Sequence, residues 1–141
     1  MPTQLTLDAK IAAAAALDSP ELTDREKDVV KILWLHRGAA NAIRSAAIAE
    51  LLKMPWGEKT RRWIAMTIET LVLLHHLPIG ASRMKPYGYF VIETQSDLDI
   101  AINARWKEIY AHMRYVRALT SKQDVARLFG QAQLELDKEV A

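Results

Sequence analysis

The stretch Asn41–Glu93, NAIRSAAIAELLKMPWGEKTRRWIAMTIETLVLLHHLPIGASRMKPYGYFVIE, decides the fold. Its first part reads as a short helix whose inward face is Ile48, Leu51 and Leu52, with Ala47 and Ala49 small enough for close packing. Ser45 is a plausible N-cap, and Asn41 is the alternative start one turn earlier. Pro55, in Met54-Pro55-Trp56-Gly57, ends this helix because the residue before a proline is driven out of helical geometry. A second helix is expected from about Glu58 to His76, with Ile64, Ile68, Leu71 and His75 at spacings of 4, 3 and 4 on one face, widened by Val72 and Leu74. Its first turns carry Lys59, Thr60, Arg61 and Arg62, so the front suits water or phosphate and the back suits a core. Pro78 stops it. Leu77–Ala81 and Tyr87–Glu93 then read as two strands joined by Ser82-Arg83-Met84-Lys85-Pro86, a hairpin with a basic tip. Gly80 and Gly88 sit on its arms, where close backbone approach is tolerated.

Upstream, Thr23-Asp24-Arg25-Glu26 is a capping box, in which Thr23 accepts from the amide three residues on and Glu26 reaches back to the Thr23 amide. It opens a core helix through Val29, Ile32, Leu33 and His36, flanked by Val30 and Trp34, with Gly38 expected at its left-handed C-terminal position. Before it, Thr6–Leu17 is rich in alanine and helix-prone, with Leu5, Ala9, Ala12, Ala13 and Ala16 along one face, broken by Asp18-Ser19-Pro20. It is read as an appended helix or a frayed arm. Downstream, Ser96 is expected to cap the longest helix, Asp97–Thr120, with Asp97 and Asp99 at the positive end of its dipole. Ile102, Trp106, Ile109, Met113 and Val116 form a heptad-like seam along it, prolonged by Leu119. Val125, Leu128, Phe129, Ala132 and Leu136 form a last amphipathic segment, interrupted by Gly130.

At 141 residues, 50% hydrophobic and 26% charged, the composition is that of a globular chain rather than a disordered one. No apolar run approaches the roughly 20 residues of a membrane span, and Ile11–Leu17 behind Lys10 does not read as a signal peptide, so a cytoplasmic protein without membrane contact is expected. Cysteine is absent, which excludes disulfides and thiolate metal sites. Histidines 36, 75, 76 and 112 offer no i, i+4 pair for a metal. Phosphate-cradling glycine loops, nucleophile elbows and His-Glu-x-x-His runs are missing as well, so neither an enzyme nor a cofactor is expected. Charge is unevenly spread. Residues 41–92 hold 7 basic and 3 acidic side chains, against 5 and 6 before them and 7 and 8 after them. Basic excess on one small unit is the footprint of a polyanion binder.

The run Ser45-Ala46-Ala47-Ile48-Ala49-Glu50-Leu51-Leu52, the turn, and Thr60-Arg61-Arg62-Trp63-Ile64 resemble the helix-turn-helix core of winged helix-turn-helix proteins. The hairpin ending Tyr87-Gly88-Tyr89-Phe90 is similar to the wing of that superfamily. The resemblance spans about Thr23 to Glu93 and points to small bacterial or phage proteins. It implies a mainly α fold with a small β-hairpin wing, and long C-terminal helices beyond it. The expected organisation is an N-terminal helix or arm over residues 1–22, a winged helix-turn-helix domain over 23–94, and a C-terminal extension over 95–141.

The function this resemblance implies is double-stranded DNA binding by a transcriptional regulator. The second helix of the motif would enter the major groove through Lys59, Thr60, Arg61 and Arg62, with Arg61 and Arg62 about 100° apart on it. Arg83, Lys85 and Tyr87 would contact phosphate or the minor groove, and Arg44 and Ser45 would hold a phosphate. The seam of Ile102, Trp106, Ile109, Met113 and Val116 would either cover the core or form a homodimer. Trp34 and Trp106 are expected in core or interface, and Trp56 packed under its turn. Bulky Trp63 and Met66 beside the arginines favour an alternative, a non-enzymatic module that grips a protein partner in a replication or phage–host assembly.

Overall fold

The structure, a computed structural model, describes residues 4–140, with side-chain surroundings from residue 10 to residue 139. The chain is mainly helical with one two-stranded antiparallel hairpin, and it divides into two compact units at Ala104/Arg105. In the first unit, α1 (Gln4–Asp18) packs Ala16 into the core with Ala12 and Leu17 beside it. The expected contributions of Leu5 and Ala9 to that face lie outside the described residues.

Helix α2 (Asp24–Leu33) opens on the expected capping box. The Thr23 hydroxyl accepts from the Glu26 amide at 3.1 Å, and the Thr23 amide donates to Glu26 at 3.0 Å. Val29, Val30 and Leu33 are fully buried. The helix ends at Leu33, well before Gly38, where the amides of Leu35 and His36 turn back to Ile32 and Leu33 in a tighter geometry. Gly38 has a different task from the helix stop expected of it. At φ 85° it starts a 3-10 turn, Ala39–Asn41, and its amide donates to Val91 at 2.8 Å.

Helix α3 (Ser45–Leu51) has Arg44 rather than Ser45 at its N-cap, and it ends ahead of Pro55. Its C-terminus closes on Lys53 at φ 57°, with the Met54 amide bonded to Ala49 and the Lys53 amide to Glu50, the two bonds of a Schellman motif. Helix α4 (Glu58–Leu73) is three residues shorter than expected. Beyond its end His76 takes φ 55°, and the Leu77 amide reaches back to Leu71. Ile64, Ile68 and Leu71 are buried, while Leu74 is exposed and does not widen the apolar face.

Strands β1 (Ile79–Ser82) and β2 (Gly88–Val91) pair with Ile79 opposite Val91 and Ser82 opposite Gly88. The other edge of β2 is covered by the segment between α2 and α3. Ile43 and Tyr89 exchange both amide–carbonyl bonds at 2.8 Å, and Val91 is clasped by His36 and Gly38. Gly88 is required here, because a Cβ would lie 2.1 Å from the Ile43 carbonyl oxygen. Gly80 serves the other side, where a Cβ would meet that of Ala101 at 2.7 Å. The core gathers Leu33, Ile48, Ile64, Leu71 and Val91 from four elements, with Phe90 in a second cluster beside Ala39 and Ile92. Each fully buried side chain of this size contributes roughly 1.5–3 kcal/mol.

Helix α5 (Gln95–Leu119) crosses the division between the units. Its cap is Thr94, not Ser96: the Thr94 hydroxyl accepts from the Asp97 amide at 3.1 Å. Asp97 is buried, and its carboxylate accepts from the amides of Ala39 (2.9 Å), Glu93 (3.0 Å) and Thr94 (3.1 Å). Burial by itself pushes this carboxyl up, but the three amides and the Thr94 side chain outweigh it and hold it below its ordinary value. The second unit holds the rest of α5 and α6 (Lys122–Val140), the latter capped by Ser121.

Candidate nucleic-acid interface

The turn after α3 sets where the basic side chains go. Gly57 is extended and N-caps α4 without a side-chain bond. Thr60 is buried, and its hydroxyl donates to the Pro55 carbonyl at 2.5 Å, pinning the first turn of α4 to the preceding turn. Thr60 is therefore turned inward, away from the displayed cations. Lys59, Arg61 and Arg62 are exposed. Both arginines bend toward one carboxylate: Arg61 Nε and Nη2 donate to Glu58 at 3.0 and 2.5 Å, and Arg62 Nε donates at 3.2 Å. The Arg61 hydrogen bond lowers the Glu58 carboxyl, and Glu58 in turn raises Arg61. In full solvent these contacts are readily exchanged for a competing anion. Their sequence signal was the spacing, a carboxylate three and four residues ahead of two arginines.

The hairpin and the start of α3 meet on the same unit. The Ile43–Tyr89 pairing anchors the base of β2 one residue from Arg44, whose guanidinium lies over the Tyr87 ring at 5.3 Å. That contact is a cation–π pair. Arg44, just ahead of α3, and Tyr87, just ahead of β2, are thus brought together. Arg83 and Lys85 are exposed at the hairpin tip with Met84 between them, and the Ser82 hydroxyl closes that tip through the Met84 backbone. Ser45 is half-buried in the first turn of α3.

The aromatic residues divide differently from expectation. Trp56 is 53% exposed, because the Thr60–Pro55 bond orders its turn without a buried ring beneath it. Trp63 is half-buried against the core with Arg25 over its ring at 5.9 Å, whereas Met66 is 67% exposed. Trp34 packs on the core and leaves its Nε1 buried without an acceptor. Along α5, Ile102, Trp106 and Ile109 are exposed by about half, and Met113 and Val116 are half-buried.

Among the described residues no cluster of three His, Asp or Glu side chains forms a metal site, and no helix is long and apolar enough to cross a membrane. No protein-family model matches the chain, and neither a curated protein nor a solved structure is significantly similar to it.

Proposed function

We propose that this protein binds double-stranded DNA as a winged helix-turn-helix, acting as a transcriptional regulator from the cytoplasm and working as a homodimer. The observation that carries the reading is the pairing of Arg44 with Tyr87 beside β2, with Arg61 and Arg62 exposed on α4 and Arg83 and Lys85 exposed at the hairpin tip. Three further features support it. Two helices joined by an ordered turn precede a hairpin whose inner strand is paired with Ile43, two residues ahead of α3. The front of α4 is polar and exposed while its back is core, as a helix lying in a major groove requires. Glu58 is an acceptor and Arg61 a fork of donors, the two complements of a C·G pair.

In this reading Lys59, Arg61 and Arg62 face the groove, while Arg44, Tyr87, Arg83 and Lys85 hold the backbone. Fluorescence anisotropy with random-sequence duplex across 50–300 mM salt tests it. Affinity should fall linearly on a log–log plot, Arg61→Ala with Arg62→Ala should weaken binding, and Arg83→Ala with Lys85→Ala should flatten that slope by about 1.8 if each neutralises one phosphate. An absence of duplex binding at about 50 mM salt sinks the proposal.

A second reading rests on Trp56 and Met66, both more than half exposed beside this face. Exposed apolar side chains at that position favour a protein partner, with the same fold serving as an adaptor. Trp56→Ala and Met66→Ala separate the two, since duplex affinity depends on them little and protein capture depends on them strongly.

A further inference from the structure

The second unit has a deficit that the first does not. None of residues 105–139 is buried, although they carry two apolar stripes. Helices of this length are marginal in water without a packed face. Within this unit α6 does not lie side by side with α5, and Trp106, Ile109 and Leu136 stay about half exposed.

The two stripes are complementary when run antiparallel about the break at Thr120-Ser121. Ile109 then falls opposite Ala132 and Val116 opposite Val125, with Trp106 one position from Leu136. Charge follows the same register. From Arg105 to Thr120 there are four basic residues (Arg105, Lys107, Arg114, Arg117) and one carboxylate (Glu108), net +3. From Lys122 to Glu139 there are four carboxylates (Asp124, Glu135, Asp137, Glu139) and three basic residues (Lys122, Arg127, Lys138), net −1, with the acidic excess gathered at its end. Antiparallel pairing sets Arg105 and Lys107 beside Glu135 and Asp137, where flanking charges choose partner and direction.

We infer that the protein dimerises by exchange: α6 of each copy lies antiparallel along the second half of α5 of the other. A two-fold axis generates both contacts at once, so one pairing buries four stripes. This rests on the dimer of the proposed function and not on what the basic face binds.

Because the chain has no cysteine, introduced thiols report without background. Full-length Ile109→Cys and Ala132→Cys variants, mixed and mildly oxidised, should give a disulfide-linked species of twice the mass, and neither alone should. Self-linking of Ile109→Cys alone would mean that α5 pairs with α5, overturning the exchange while leaving the dimer. Closure of the double variant within a monomer would mean that α6 folds back on its own α5, overturning it differently. Equilibrium sedimentation of the unaltered protein separates these from failure of the dimer itself, which a monomer at tens of micromolar establishes. Charge reversal avoids touching the stripes. Arg105→Glu with Lys107→Glu should raise the dimer dissociation constant about tenfold. Adding Glu135→Lys with Asp137→Lys should restore it, and failure to restore counts against the register.

Discussion

Replacing Asp97 by alanine should unlock the first unit where the Ala39 turn meets the start of α5. The carboxylate accepts three amides at once, and the one from Ala39 is buried and comes from a turn 58 residues earlier. An orphaned buried amide costs about 2 kcal/mol, and the half-buried amides of Glu93 and Thr94 cost less because water reaches them, so the sum is about 3–4 kcal/mol. Asp97→Asn keeps one acceptor oxygen but turns an NH2 toward amide donors, and it should lose about 2 kcal/mol or more. Urea unfolding at pH 7 with a common slope gives both values.

The pH dependence follows from the direction of the shift. Because the folded carboxyl sits below its ordinary value, its stabilisation is fully present above the unfolded value near 3.9. It fades as pH falls through the lower folded value. The wild-type margin over Asp97→Asn should therefore shrink between about pH 5 and pH 2. Variants within about 0.5 kcal/mol of wild type at pH 7 would refute the clamp, as would a margin that grows in acid.

Two other substitutions probe the face more directly. Gly88→Ala places a methyl 2.1 Å from the Ile43 carbonyl at φ 129°, so it should cost about 3 kcal/mol or more in thermal unfolding and loosen the Tyr89–Ile43 pairing. Glu58→Gln frees Arg61 and Arg62 from their shared carboxylate, so duplex affinity at low salt should rise and the log–log salt slope steepen by about one, while discrimination between sequences falls.

What could be read from the sequence was mostly what the chain decides within a few residues. Thr23 to Glu26 is complete in four positions, and the spacing of Ile64, Ile68 and Leu71 is the helix period itself. Thr94-x-x-Asp97 has the same capping signature, yet Ser96 beside Asp97 imitates a cap of its own. The deciding partner, Ala39, is distant in the chain, and so no local pattern gives it away. Gly38 misleads for the same reason: a glycine just past an apolar stripe reads as a helix stop, and only pairing with Val91 gives it another purpose. Within the candidate site the cations were legible as a cluster. The inward turn of Thr60 and the grip of Glu58 depend on rotamers that composition does not encode.

The two units present opposite accounts of where binding energy is stored. The first partners the outer edge of β2 and its buried carboxylate within itself, and it displays a handful of exposed cations. A few phosphate contacts give affinity that is weak and steeply dependent on salt. The second unit offers unsatisfied apolar stripes instead. If two copies join through those stripes as proposed, the second basic face would act at high effective concentration, which would multiply affinity without a new contact on either face. Under the proposed exchange dimer, a face of so few cations would suffice for duplex binding, and that gain would depend on the exposed stripes of α5 and α6.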